Sequence, residues 1–275
     1  MKKAAQQERI RKQNPTWEFP DFVVNELTKK QNKYCVCIFV INEGERIQKQ
    51  LKAMKKYAKK IDIVVADGGS TDGSLEEDFL KKQSVRALLT KKGPGKLSAQ
   101  MRMAFAWAMD QGYEGVVVVD GNGKDDITAI PDFIKHLDDG IDHVQGSRFV
   151  PGGKAVNTPL SREIGLHFIH APLISIAARK RHTDTTNGFR GYSARLLKDD
   201  SIAIFRDIFK TYELHYYLAI ESSRRKEYKT IETPVTRTYP KEGKTPTKIS
   251  PVKGNLHVLA VLFSAVAGKY KNSSK

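Results

Sequence analysis

Gly115-Val116-Val117-Val118-Val119-Asp120-Gly121-Asn122 is the stretch that decides the fold. Four consecutive valines between glycines carry no helical period, so they read as a strand buried on both faces. A strand of that kind belongs at the centre of a parallel sheet. Towards the N-terminus, Tyr34–Ile41 and Ile61–Ala66 are apolar, β-branched runs and read as two more buried strands, with Val85–Leu89 as a third. Between them, Glu45–Lys60 places Ile47, Leu51, Met54 and Ala58 at spacings of four, three and four, the period of an amphipathic helix. Leu75–Lys82, Ser98–Gln111 and Ile127–Asp138 read as helices, and His143–Gly146 as a short strand. This alternation predicts an α/β fold, with a mostly parallel sheet and helices on both faces. Ligands of such sheets bind beyond the carboxyl ends of the strands.

After Pro151 the pattern is less regular. Leu160–Arg181 reads as a helix bent near Pro172, Thr183–Gly191 as a loop and Tyr212–Lys226 as a helix. Tyr228–Val235 reads as a strand, Thr238–Pro251 as a loop and Asn255–Tyr270 as a last helix. The expected organisation is an extension over residues 1–33, a catalytic domain over 34–254, and a C-terminal helix and tail over 255–275. The extension is polar and reads either as partly helical or as a disordered tail, with Trp17 and Phe19 available to dock it.

The 275 residues carry a net charge of +16. That excess attracts nucleic acid, anionic membrane or phosphorylated small molecules. Zinc-finger, helix-turn-helix and RNP-like patterns are missing, which disfavours nucleic acid. The start, Met1–Lys12, is polar and basic, unlike a signal peptide. The apolar run Leu256–Ala267 is too short to span a bilayer. It reads as a core helix, with a membrane-surface helix as the alternative. Cys35 and Cys37 lie two apart in a strand and face one side, which reads as packing and fits a reducing, cytoplasmic setting.

Three strand ends carry the candidate chemistry: Asn42-Glu43-Gly44, Asp67-Gly68-Gly69-Ser70-Thr71-Asp72-Gly73 and Asp120-Gly121-Asn122. One such carboxylate is ordinarily a helix cap. Three on one edge of a sheet can hydrogen-bond a nucleoside or hold a cation. The first strand is not followed by G-x-G-x-x-G and no P-loop occurs, which argues against dinucleotide oxidoreductases and P-loop ATPases.

These motifs resemble family 2 glycosyltransferases of the GT-A fold. Gly146-Ser147-Arg148, Thr186-Asn187-Gly188-Phe189-Arg190 and Glu232-Thr233-Pro234-Val235 are similar to the dolichyl- or polyprenyl-phosphate mannosyltransferase branch. The resemblance covers roughly residues 34–254. It implies a GT-A-like domain with a C-terminal acceptor-side elaboration. It further implies transfer of a sugar, with inversion, from a nucleoside-diphosphate sugar of UDP or GDP type to a polyprenyl phosphate or glycan. A lipid-phosphate acceptor would bring the chain to the inner membrane face. The alternatives are a surface-polysaccharide transferase with a hydroxyl acceptor and a nucleotide-binding pseudoenzyme.

The resemblance places Asn42, Glu43, Asp67 and Lys96 at the donor nucleotide and Asp120 at a Mg or Mn ion on its diphosphate. It places Lys244 or Lys248, in a basic loop, on phosphate. Arg148 and Arg190 are implied to grip the acceptor phosphate, since guanidinium pairs with phosphate in a bidentate way; the alternative is a pair of structural arginines tying loops to the sheet. Asn122 departs from the family's second aspartate, and its carbonyl adds no charge to a cation site. Lys124, two residues on, can reach the diphosphate, so the metal dependence is expected to be weak or dispensable. Asp125 and Asp126 read as caps of the next helix, and Glu213 and His215 as candidate bases.

Overall fold

The computed structural model describes residues 2–241, 247, 248, 250 and 252–272, with side chains from residue 6 onward. Ten strands are present among them: β1 (Phe22–Glu26), β2 (Tyr34–Val40), β3 (Asp62–Asp67), β4 (Val85–Lys91), β5 (Gly115–Asp120), β6 (His143–Ser147), β7 (Lys154–Val156), β8 (Arg190–Ser193), β9 (Thr230–Pro234) and β10 (Thr236–Thr238). The helices are α1 (Lys2–Gln13), α2 (Glu45–Met54), α3 (Glu77–Lys82), α4 (Leu97–Asp110), α5 (Ile130–Asp138), α6 (Leu160–Gly165), α7 (Ala171–Ala178), α8 (Ala194–Leu197), α9 (Glu213–Arg224) and α10 (Lys253–Val266).

Eight strands form one sheet in the order β1-β4-β3-β2-β5-β8-β6-β9, and β7 pairs with β10 beside it. The pairs β2–β3, β2–β5, β3–β4 and β6–β9 are parallel. Antiparallel pairs join β1 to β4 and place β8 between β5 and β6. The mostly parallel α/β sheet expected from the valine strand is present.

Side-chain alternation along β2 sorts the core into two layers. Cys35, Cys37 and Phe39 pack with α4, whereas Val36, Ile38 and Val40 pack with Ile47, Leu51 and Met54 of α2 and with Phe133 of α5. Both cysteines are buried on one face, as their spacing required. A third cluster joins Ile174 of α7, Tyr216 and Ile220 of α9, and Val261, Leu262 and Ala265 of α10.

Differences from expectation begin at the domain limits. Residues 1–33 do not merely precede the domain, because β1 is an edge strand of the main sheet. Ile10 is fully buried, and Trp17 stacks on Phe205 with ring centroids 3.9 Å apart. A five-residue edge strand in a polar segment leaves little periodic signal, so the domain begins earlier than the sequence suggests. The tail helix α10 likewise packs on α7 and α9, so residue 254 is no domain limit.

The second difference is β8, where a loop was expected. Its sequence, Arg190-Gly191-Tyr192-Ser193, lacks a β-branched run, and its partners on both sides impose the strand. The third lies in the helix bent near Pro172. The chain forms a π turn over Leu166–His170 between α6 and α7, with the Ala171 N–H donating to the Leu166 carbonyl. Proline lacks an N–H and crowds the carbonyl four residues back, and the wider turn relieves both problems.

Candidate active site

The carboxyl ends of β2, β3 and β5 open onto a cavity of about 750 Å³, within the range of small-molecule sites. Its other walls come from the 184–190 turn, α6 and the following π turn, the start of α9, β10 and α10.

The donor-side wall is built by turns locked to one another. Asn42 sits at φ 47°, a left-handed conformation that asparagine tolerates. Its Oδ1 accepts from the Thr71 N–H at 2.8 Å, and its own N–H donates to Ser70 Oγ at 2.9 Å. From α4, Gln100 Nε2 donates to the carbonyls of Val40 and Ala66, each at 3.0 Å, tying the ends of β2 and β3. Gln100 was not singled out in the sequence. Its signal was a polar residue on the buried side of an apolar helix.

Glu43 lines the cavity, held by Arg46 Nε at 3.0 Å. Lys248 reaches across, donating to the Asn42 carbonyl at 3.1 Å and lying 3.8 Å from the Glu43 carboxylate. Lys96 also lines the cavity and is exposed. Asp67 behaves differently. Its carboxylate is buried and accepts from the Ser70 N–H at 2.8 Å and from Ser70 Oγ at 2.6 Å. It closes the turn and is absent from the cavity wall. Lys244 lies outside the described residues.

Asp120 stands where the two sides of the cavity meet. Its Oδ2 accepts from Arg237 Nη2 at 3.0 Å and from Asn122 Nδ2 at 3.3 Å. Arg237 also pairs through Nη1 with both Asp125 oxygens at 2.6 Å. Burial pushes the Asp120 carboxyl up, but the Arg237 and Lys124 cations outweigh it and hold the pKa below its ordinary value. Gly188 packs against this carboxylate: a Cβ there would lie 2.9 Å from Asp120 Oδ1 and would push the carboxylate aside.

Arg237 is the residue sequence reading missed in this role, because it is one cation in a basic loop. Asp125, expected as a helix cap, is instead its buried partner, whereas Asp126 does cap, accepting from the Thr128 N–H at 3.0 Å. Lys124 Nζ lies 5.0 Å from the Tyr239 ring, and the Arg162 guanidinium lies 5.7 Å from it. Burial pushes the Tyr239 phenol up, yet Arg237, Lys124, Arg148 and Arg162 together bring it below its ordinary value. Four cations therefore act on one corner of the cavity.

The other expected phosphate grips are largely spent. Arg148 lines the cavity, but its Nε and Nη2 bind Asp184 at 2.6 and 2.9 Å, and Nη2 also reaches Thr186. Arg190 is almost completely buried and outside the cavity wall. It donates to the carbonyls of Asn187, Thr185 and His215 at 3.0, 2.9 and 2.7 Å. Gly146, Gly188 and Gly191 lie beside these arginines. They are points where the arginines brace the chain.

Neither candidate base is poised. Glu213 accepts from the Thr211 N–H and hydroxyl in the turn that precedes α9. His215 lines the cavity, but burial, aided by Arg190, pushes its imidazole down to about 3.

The fit to a divalent cation is poor. Asp120 brings one carboxylate, already facing two cations, and the Asn122 carbonyl accepts from the Lys124 N–H at 3.2 Å. Among the described residues, no cluster of three His, Cys, Asp or Glu side chains could complete a site. This donor set does not make a tight, preformed metal centre.

The glycosyl transferase family 2 model matches residues 35–205, a span that holds the strand ends and the 184–190 turn but not the α9, β10 and α10 parts of the cavity wall. The chain belongs to this family. It is 30% identical over 162 residues to the undecaprenyl-phosphate mannosyltransferase of Micrococcus luteus, covering 57% of this chain and 65% of that one. It is 26% identical over 166 residues to the polyprenol monophosphomannose synthase of Mycolicibacterium smegmatis, covering 59% of this chain and 62% of the relative. The chain thus spans under two thirds of the length of both relatives. The fold is shared with glucosyl-3-phosphoglycerate synthase of Mycobacterium tuberculosis, solved with Mn2+, UDP and phosphoglyceric acid. That match has a TM-score of 0.61 and 14% identity, over 88% of this chain and 80% of the other. The GT-A architecture of this family 2 chain is therefore established.

Proposed function

We propose that the chain is a glycosyltransferase that moves a sugar from a nucleoside-diphosphate sugar to a polyprenyl phosphate. The observation that carries this reading is the convergence of Arg237 and Lys124 beside Asp120, with Arg162 on the neighbouring Tyr239, at the carboxyl ends of parallel strands. Fixed cations in a partly desolvated cavity stabilise charge that grows on a leaving diphosphate. The UDP bound by the structural neighbour and the polyprenyl phosphates named in the relatives support the donor and acceptor classes.

Glu43 and the backbone of Asn42 and Gly68 hold the nucleoside, with Lys96 beside it. Lys124 lines the diphosphate side, Arg237 adds its charge from behind while paired with Asp120 and Asp125, and Lys248 reaches the donor side at Asn42. An acceptor phosphate oxygen attacks the anomeric carbon. A carbon–oxygen bond forms, the bond to the diphosphate oxygen breaks, and the electron pair leaves with the nucleoside diphosphate. In-line attack inverts the anomeric centre. A phosphate acceptor is already anionic and needs no general base, whereas a hydroxyl acceptor would need one. Glu213 is occupied and His215 is a very weak base, which favours the phosphate. The cations take over much of the charge neutralisation a metal would supply, so Mg or Mn dependence is weak.

Thermal shifts with UDP, GDP and CDP, each with and without Mg or Mn, test this reading. A stabilising shift with one nucleotide, mostly retained in EDTA, is expected. No shift with any nucleotide would defeat the transferase reading. A shift that appears only with metal would defeat the role given to Lys124 and Arg237.

A further inference from the structure

Along β10 and just beyond it the chain alternates faces. Val235, Arg237 and Tyr239 are buried, whereas Thr238 and Pro240 are exposed. Residues two apart on an extended chain point to one side. Tyr239 therefore accompanies Arg237, and both line the cavity. Arg237 is held there by Asp120 and Asp125, whereas Tyr239 offers the face of a ring.

Two cations share that ring. Lys124 Nζ lies 5.0 Å from its centroid and the Arg162 guanidinium 5.7 Å, both within the reach of a cation–π contact. They come from different walls: Lys124 follows β5 at the strand ends, and Arg162 stands on α6.

The backbone fixes the ring without help from either side chain. The Thr238 N–H donates to the Lys124 carbonyl at 2.8 Å, and the Asp126 N–H to the Thr236 carbonyl at 2.9 Å. On its other edge β10 pairs with β7, and the Tyr239 N–H donates to the Val156 carbonyl at 2.9 Å. Asn157, which leads towards α6, donates through Nδ2 to the Tyr239 carbonyl at 3.2 Å. Tyr239 is thus anchored between the two segments that carry the cations. Lysine and arginine reach out on flexible stems, whereas a tyrosine ring has little freedom once its backbone is held. Burial, with Arg237 adding to it, pushes the Lys124 ammonium below its ordinary pKa. Like charges brought together out of water also repel. A ring face that attracts both offsets part of these costs.

We propose that Tyr239 is a positioning residue, whose ring holds Lys124 for the donor diphosphate and Arg162 for the acceptor phosphate at one corner of the cavity. The identity of the two ligands rests on the proposed function; the hold on both cations rests on the geometry of the ring.

Calorimetry on the full chain in EDTA tests it. The probes are the nucleoside diphosphate that gives the thermal shift and, separately, farnesyl phosphate as a short polyprenyl phosphate. Lys124→Met should weaken only the nucleotide, and Arg162→Met only farnesyl phosphate. Tyr239→Leu should weaken both, each by about fivefold, the size of one cation–π contact. Tyr239→Phe keeps the ring and should bind both within about twofold of wild type. Added to Lys124→Met, Tyr239→Leu should cost the nucleotide nothing more, because it acts through that lysine. If Tyr239→Leu melts early, a phenylalanine with a fluorinated ring at position 239 decides, since fluorine drains the ring face and keeps the shape. It should weaken both ligands as leucine would. The proposal is overturned if the leucine or fluorinated variant binds both ligands as tightly as wild type, or if Tyr239→Phe loses as much as Tyr239→Leu. It is also overturned if Tyr239→Leu adds its full effect to Lys124→Met, or if Arg162→Met leaves farnesyl phosphate binding unchanged. Failure of the transferase reading is seen separately, as a wild-type chain that binds no nucleotide, and the farnesyl phosphate arm then still tests the ring.

Discussion

The strand-end wall of the cavity and the 184–190 wall are both polar and glycine-rich, yet they spend their polar groups differently. At the strand ends, Glu43, Lys96, Asp120 and Lys124 line the space where a ligand would sit. In the opposite wall, Asp184 takes Arg148, and three backbone carbonyls take Arg190. A buried cation must be paired or hydrogen-bonded. An arginine whose donors are filled by its own chain has few left for phosphate. The lesson is to count free donors before assigning a grip, since the local motif looks alike in both cases.

The comparison breaks most visibly at Arg190. Arg190→Met would leave three carbonyls without their donor in the interior. The expected cost is about 3–5 kcal/mol of stability, read as a lower urea midpoint. The variant that remains folded should keep its nucleotide shift. A variant as stable as wild type but without transfer would return Arg190 to the catalytic site.

Arg237 tests the other side. Arg237→Gln should lower transfer by about 10²–10³-fold, or roughly 3–4 kcal/mol of transition-state stabilisation. It also removes a guanidinium from Asp120, so activity should become more dependent on added Mn. Equal sensitivity of both proteins to EDTA would show that Arg237 does not stand in for metal charge.

The acceptor-side scaffold carries a pH signature set by buried histidines. Burial, with Arg190 and Lys180 adding to it, pushes His182 down to about 4, and burial holds His143 well below its ordinary value. An unfolded histidine titrates near 6.5. Below that pH the unfolded chain binds protons that the folded one refuses. The contribution is therefore intact above pH ~6.5 and is lost progressively as pH falls towards 4. A loss of about 2–3 kcal/mol over that window is expected in unfolding experiments. His182→Gln should flatten part of it, and an unchanged pH profile would exclude this origin.

Much of this was legible in the sequence. The valine strand, the apolar run of β2 and the period of α2 placed the sheet and its helices, because fully buried strands and amphipathic helices leave runs and repeats. The Asp120 corner followed from its position at a strand end. What stayed hidden was set by partners distant in the chain. The short strand β8 is imposed by β5 and β6, and β1 by β4. Arg237 gains its role only when β10 brings it to Asp120, 117 residues away. The spent state of Arg148 depends on Asp184, 36 residues away.

The smallest effect divides the strand-end wall itself. Glu43 and Asp67 end adjacent strands, and the family resemblance gave both to the nucleoside, yet only Glu43 lines the cavity. Glu43→Gln keeps the shape and removes the charge facing Arg46 and Lys248. Nucleotide affinity measured by calorimetry should fall about tenfold, or ~1.4 kcal/mol. Asp67→Asn keeps an acceptor for Ser70 but weakens charge-assisted bonds. It should cost about 1 kcal/mol of stability with little change in affinity. If Asp67→Asn loses the nucleotide while its melting stays unchanged, the buried carboxylate must turn outward when the donor binds. The division between lining and bracing groups would then hold only for the empty cavity.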